Sequence, residues 1–242
     1  MGEAQGIFVV GTDTGVGKTL VTCALVRLLR ESGVDAVGFK PVMTGATQGR
    51  WGDAEALREA GGDREPLEHI CPLRFHAPLT PSVAAKREGM QPNLDLARSA
   101  LAGLTNRYAA VVCEGIGGIL VPLTDSTLLL DFLAELRFPL VVTARAALGT
   151  INHTLLTLRE LERARLEIAA VVLSVTRPED AAVVDETRTE IERFSKRRIS
   201  AVLDYCGEET NEVTGAPGQK VVARAVACLS GQINSRKLLR LP

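Results

Sequence analysis

No stretch of this 242-residue sequence approaches the run of about 20 apolar residues that a membrane-crossing helix requires. Charge of one sign is not in excess either. Lys and Arg number 28 and Asp and Glu 29, for a net charge of −1, so neither nucleic acid nor a membrane surface is an expected partner. The five cysteines (Cys23, Cys71, Cys113, Cys206, Cys228) show no C-x-x-C and no metal-ligand spacing. Reduced, mostly buried thiols are expected of them, which fits the cytoplasm. No basic segment precedes the first apolar residues at Ile7, so no secretory signal is expected. There is no repeat of solenoid length and no stretch of linker composition, which predicts a single domain spanning residues 1–242. The sequence holds no Ser-His-Asp set and no thiol nucleophile paired with a base. What it has is 46% hydrophobic residues, enough for a sizeable core.

The chemistry gathers first at Val9-Val10-Gly11-Thr12-Asp13-Thr14-Gly15-Val16-Gly17-Lys18-Thr19. An apolar strand runs into a Gly- and Thr-rich turn, and a helical pattern follows with Leu20, Val21, Ala24, Leu25, Leu28 and Leu29 on one side. Strand, Gly-rich loop, Gly-Lys-Thr and helix form the layout of a phosphate-binding P-loop. The strict spacing is missed by one residue, since the eight-residue window ending at Thr19 begins at Thr12 and Gly11 lies one position early. Backbone N–H groups across Gly15, Val16, Gly17, Lys18, Thr19 and Leu20 would cradle phosphates at a helix N-terminus. Lys18 would reach the outer phosphates, and the Thr19 hydroxyl would hold Mg²⁺.

Helix is expected over residues 18–32, stopped by Gly33, and strand over 34–40, ending in Lys40-Pro41. Lys40 is placed at a carboxyl strand end, where ligands of open α/β sheets bind. That position predicts that its replacement leaves the fold intact. Residues 46–52 read as loop and 53–60 as helix. Asp53 lies at or near the N-cap, either as that cap or as a carboxylate delivered to Mg²⁺. Residues 65–81 are Pro-rich and read as a surface excursion. Helices are expected over 81–88 and 93–106. Ala109-Ala110-Val111-Val112-Cys113 reads as a buried strand with Glu114 at its tip, aimed at a metal, and the glycines of Gly115-Ile116-Gly117-Gly118 admit a ligand closely. Further helices are expected over 128–136, 149–165, 179–194 and 220–229, and strands over 139–143, 168–175 and 199–203. Residues 206–218 read as an acidic loop and the basic tail 235–240 as a solvated end. Repeated β-α units with short apolar strands predict an α/β fold, a P-loop NTPase-like, mainly parallel sheet with helices on both faces.

The assembled groups are a phosphate cradle, three oxygens aimed at a metal (Thr19, Asp53, Glu114) and a second cation, Lys40. They suit phosphoryl transfer to a small acceptor.

Gly11-Thr12-Asp13-Thr14-Gly15-Val16-Gly17-Lys18-Thr19, Lys40-Pro41-Val42, Asp53-Ala54, Glu114-Gly115-x-Gly117-Gly118 and Leu148-Gly149-Thr150-Ile151-Asn152-His153 resemble the dethiobiotin synthetases. So does Pro78-Leu79-Thr80-Pro81. The resemblance covers residues 6–175 in order. It implies an ATP- and Mg²⁺-dependent ring closure of 7,8-diaminononanoate with carbon dioxide or bicarbonate, through a carbamate and its mixed anhydride with phosphate, by a homodimer. It also implies residue roles. Lys18 and Lys40 would neutralise the γ-phosphate and carbamate oxygens, with Thr14 and Thr44 on the carbamate side. Thr19, Asp53 and Glu114 would hold the metal, and Gly149, Thr150 and Asn152 would receive the substrate's carboxylate tail near the dimer interface. Three departures stand out. Ser174 occupies the place where the family commonly has an adenine-reading Asn. Ala201-Val202-Leu203-Asp204-Tyr205 replaces Gly-x-Ile-Pro, and the helix over 179–194 has no tyrosine. Looser nucleotide-base selection is therefore expected. An ATP-driven switch of the partitioning type is the alternative, but those proteins carry a lysine where this loop has Asp13. Amidating ligases on the same scaffold need an added glutaminase domain, for which 242 residues leave no space.

Overall fold

The computed structural model describes residues 5–207 and 215–239. In chain order it forms β1 (Gln5–Gly11), α1 (Lys18–Glu31), β2 (Ala36–Phe39), β3 (Val42–Thr44), α2 (Gly52–Ala60), α3 (Leu67–Ile70), β4 (Leu73–Phe75), α4 (Pro81–Arg87), α5 (Leu94–Arg107), β5 (Ala110–Gly118), α6 (Leu129–Leu136), β6 (Leu140–Arg145), α7 (Thr150–Arg163), β7 (Ile168–Ser174), a 3₁₀ turn over Pro178–Val183, α8 (Val184–Ser195), β8 (Ala201–Leu203), α9 (Gln219–Ser230) and α10 (Ser235–Leu238). The middle of the loop expected over 206–218 and residue Arg240 of the basic tail lie outside the described residues.

Six strands form one parallel sheet in the order β2-β5-β1-β6-β7-β8. β1 lies at its centre, and Ile7, Phe8, Val9 and Val10 are fully buried. A strand covered on both faces has no solvent side, so its residues read as a continuous apolar run. α1 turns Val21, Ala24, Leu25 and Leu29 into the core. It ends at Ser32, and Gly33 follows at φ +83°, the left-handed conformation that closes a helix at least cost in glycine. Asn93 caps α5 by accepting from the Asp95 N–H at 3.0 Å, a contribution of about 1 kcal/mol. At the β8 edge the Gln232 carboxamide accepts from Val202 N–H and donates to Val202 C=O, both at 2.9 Å. A side chain thus covers main-chain groups that an open edge would offer to another strand.

Three expectations need correction. Residues 65–81 are not a surface excursion: α3 and β4 lie within them, Ile70, Cys71 and Phe75 are buried, and β4 pairs in parallel with β3. Segments of three or four residues are too short to show periodicity. β5 does not end before Glu114 but runs on to Gly118, with its register against β1 shifting between Val9 and Gly11. The helix expected over 179–194 begins as a 3₁₀ turn, and its α-helical part starts at Val184.

Candidate active site

The carboxyl ends of β1, β2 and β5 converge because their registers align. Phe39 pairs with Cys113 and Val9 with Glu114, so the residue after β2, Lys40, meets Glu114 across the ladder. Lys40 Nζ donates to Glu114 Oε1 at 2.6 Å and lies 3.0 Å from Asp53 Oδ2. Thr19, in the first turn of α1, donates to the same Glu114 oxygen at 2.9 Å. Asp53 arrives from the first turn of α2; Trp51 holds the N-cap position, so Asp53 is not the cap. Lys40 and Glu114 are 2% and 1% exposed. Lys40 is therefore a buried ion-pair partner and not a solvated strand-end residue, which removes the ground for expecting its loss to spare the fold.

The loop between β1 and α1 turns through Gly15 at φ +71° and Gly17 at φ +90°. A Cβ on Gly17 would stand 2.7 Å from Ser174 Oγ, so both conformation and space demand glycine there. Lys18 folds back to donate to the Asp13 carbonyl at 2.7 Å. Burial, helped by repulsion from Lys40, lowers its amine to about 8. Burial also opposes the charge on Lys40, but Asp53 and Glu114 outweigh it and hold that ammonium above its usual range. Burial pushes the Glu114 carboxyl up against the pull of Lys40. It acts the same way on Asp53, where Lys40 prevails and the carboxyl is lowered.

These groups line a cavity of about 860 Å³. The sheet order puts Lys40 and Glu114, toward the carboxyl ends of β2 and β5, on one side of β1, and Ser174 and the residues after β8 on the other. Met43, Thr44, Asp53 and residues 78–81 share the lining, as do Val175, Thr176, Tyr205, Cys206 and Val221. Thr14, Gly15, Gly17, Lys18, Thr19, Leu20, Ile116 and Gly117 join the lining. Two expected site residues do not: Val16 is fully buried, and Gly115 is hemmed in by Leu129, Phe8 and Val9. Gly149, Thr150 and Asn152 also lie outside the lining. Gly149 is the N-cap of α7, Thr150 is buried with its hydroxyl 3.5 Å from that of Thr154, and Asn152 is exposed. The walls at Met43, Val121, Tyr205, Cys206 and Val221 carry no motif. The run Pro78-Leu79-Thr80-Pro81 between two elements was the one sequence signal for that part of the wall.

The buried Glu114 Oε2 has no hydrogen-bond partner, so the carboxylate has coordinating capacity in reserve. Among the described residues no three or more His, Cys, Asp or Glu side chains gather. Two carboxylates and a hydroxyl are instead hard oxygen donors of the kind that suit Mg²⁺. Two lysines, a phosphate cradle and such a donor set can bind a nucleoside triphosphate and stabilise charge on its terminal phosphoryl group. The five cysteines are free, and burial raises Cys23, Cys71, Cys113 and Cys206, which removes them as nucleophiles at neutral pH.

A family model described as an AAA domain matches residues 5–213. The ATP-dependent dethiobiotin synthetase of Anaeromyxobacter dehalogenans (strain 2CP-C) is 52% identical over 201 residues, 83% of this chain and 90% of that protein. The synthetase of Bacillus cereus (strain ATCC 14579) is 36% identical over 210 residues, 86% of this chain and 87% of that one. Among solved structures, the cell division protein FtsY of Thermotoga maritima aligns at a TM-score of 0.49 and 17% identity, covering 92% of this chain and 68% of that one. With half of the 201 aligned residues identical to a dethiobiotin synthetase, over 83% of this chain and 90% of that protein, the chain belongs to the ATP-dependent dethiobiotin synthetase family.

Proposed function

We propose that this protein closes the cyclic urea of dethiobiotin from 7,8-diaminononanoate, carbon dioxide and ATP, releasing ADP and phosphate. The observation that carries the proposal is the meeting of Lys18, Lys40, Thr19, Asp53 and Glu114 in one cavity. The β2–β5 side, with the cations and carboxylates, takes the acceptor. Its Met43, Leu79 and Pro81 suit an aliphatic chain, and Thr14 and Thr44 offer hydroxyls to the carbamate. The β7–β8 side takes the nucleotide base. Gly15 and Gly17 let main-chain N–H groups approach the phosphates. Lys18 and Lys40 neutralise the oxygens shared between terminal phosphate and carbamate, which is where charge builds during transfer. Thr19, Asp53 and Glu114 would hold Mg²⁺, which when bound supplies Lewis acidity to the phosphate oxygens.

The chain works in this proposal as one P-loop domain and as a homodimer. Leu148 is fully exposed and Leu156 58% exposed at the start and middle of α7, next to Gly149, Thr150 and Asn152. An interface there would bring that helix start to a partner's cavity, where it receives the substrate carboxylate. Free cysteines suit a cytoplasmic enzyme. Among the described residues no helix is long and apolar enough to cross a membrane. The proposal gives neither nucleic acid nor a membrane a part.

The test is to mix purified protein with diaminononanoate, bicarbonate, Mg²⁺ and ATP, and to follow dethiobiotin by mass and ADP by chromatography. One ADP per dethiobiotin is expected. No nucleotide consumption in the presence of the diamine would refute it.

A further inference from the structure

Three donors are proposed above for the metal, and in this structure the chain's own ammonium occupies two of them. Lys40 Nζ is 2.6 Å from Glu114 Oε1 and 3.0 Å from Asp53 Oδ2. The third donor, the Thr19 hydroxyl, spends its proton on that same Oε1 at 2.9 Å. An ammonium and a divalent cation cannot share these oxygens at contact distance, because like charges a few ångströms apart in a buried site repel strongly.

We propose that Lys40 is a placeholder cation. It holds Glu114 and Asp53 while the metal is away, and metal entry obliges it to release both and turn into the cavity. This rests on the proposed function only in taking Thr19, Asp53 and Glu114 as the metal ligands. Two observations favour exchange over a permanent salt bridge. A resident buried pair needs its remaining oxygens satisfied, yet Glu114 Oε2 is buried with no partner. Asp53 is about a third exposed on its side chain, so an ion can enter from the cavity without opening the sheet. Lys18 is parked in the same manner on the Asp13 carbonyl. Both cations of the site are thus docked on the protein until a ligand draws them off. A nucleotide arriving without metal meets no free ammonium from Lys40, and the cation becomes available only once the metal has displaced it.

The test begins with wild-type protein, so that folding is not at issue. Competitive isotopic reductive methylation is read by mass spectrometry with and without magnesium chloride, nucleotide being absent. Labelling of Lys40 is expected to rise about fivefold or more with metal as its ion pairs break. Labelling of the exposed Lys86 and Lys237 should stay constant. Unchanged Lys40 labelling overturns the exchange. In parallel, Mn²⁺ binding without nucleotide is measured by electron paramagnetic resonance for wild type and Lys40→Met. The variant should bind about tenfold tighter or more, since the competing charge is gone. Equal or weaker binding overturns the exchange. If that result comes with normal dethiobiotin formation by the wild-type protein, the proposed function stands and the exchange alone falls. If neither protein binds the ion and no product forms, both fall.

Discussion

Lys40→Met tests the energetics of the site without any substrate. The substitution keeps the length of the side chain and removes its charge, leaving Glu114, 1% exposed, with the Thr19 hydroxyl as its one donor. Breaking a buried ion pair by removing one partner costs about 3–5 kcal/mol, because the other charge stays behind uncompensated. Asp53 adds little to this cost. It is about a third exposed and can be rehydrated, so its share falls to about 1 kcal/mol or less. A loss of about 3–4 kcal/mol at pH 8 follows. Its pH dependence has a definite sign. Burial already raises the Glu114 carboxyl in the wild-type protein, and without Lys40 it rises further. A carboxyl whose folded pKa lies above its unfolded one destabilises the fold when ionised, and the penalty is relieved as pH falls through the folded pKa. The wild-type ammonium is held above its usual range and stays charged throughout this window. The deficit of the variant should therefore shrink from pH 8 toward pH 5. Urea unfolding of the metal-free protein measures it, with Trp51, the single tryptophan, reporting from the start of α2. Adding Glu114→Gln to Lys40→Met should recover part of the loss, giving a double-mutant coupling of about 2 kcal/mol or more. A single variant within about 1 kcal/mol of wild type at pH 8, or a deficit that grows as pH falls, would refute the reasoning.

Three further outcomes are expected. Glu114→Gln should shift the Mg²⁺ dependence of turnover to at least about tenfold higher metal; an unaltered metal titration would make the carboxylate structural. Nucleotide binding should take up protons above neutral pH, because phosphates favour the charged form of an amine lowered to about 8. At pH 8.5 uptake should approach about three quarters of a proton, and affinity should fall as pH rises past 8. Calorimetry in buffers of different ionisation enthalpy reads this, and zero uptake contradicts it. The β7–β8 side of the cavity, to which the proposal gives the base, offers no Asn, Gln, Asp or Glu side chain among its described lining residues, and Thr176 lends its hydroxyl to Asp180. ATP should therefore be preferred over GTP or CTP by less than about a hundredfold in kcat/KM, and a preference of several hundredfold would show a base reader.

The parts of this molecule that were legible in its sequence are those with local causes. β1, the Gly-rich turn and α1 follow from an apolar run, two glycines at positions that need positive φ, and a helical stripe, all within residues 5–31. The longer helices and the central strands announce themselves by the same periodicities. β3 and β4 do not, since three residues cannot display a period. Nor does the position of Glu114 along β5, because the glycines after it read as a turn and in fact continue the strand through a register shift. The tightest contact of the site was illegible for a different reason. Lys40 and Glu114 are 74 residues apart, and they touch because β5 is inserted between β1 and β2. Each strand alone predicts only a polar residue near its carboxyl end.

Once the order β2-β5-β1 is given, the register does the rest. Phe39 opposite Cys113 puts Lys40 against Glu114, and Val9 opposite Glu114 puts the start of α1, with Lys18 and Thr19, on its other side. Stability alone does not account for such a pair. A well-packed apolar pair in the same volume is often neutral or better for a fold than a buried ion pair, and Val112 and Cys113, one turn of the pleat below, show the strand accepting apolar side chains there. In the proposed function the charges are explained by what the cavity holds. A terminal phosphate needs cations, and the metal that accompanies it needs anions. Both must stay folded and in place between turnovers, and a lysine and a glutamate that neutralise each other in the interval meet that requirement with two side chains.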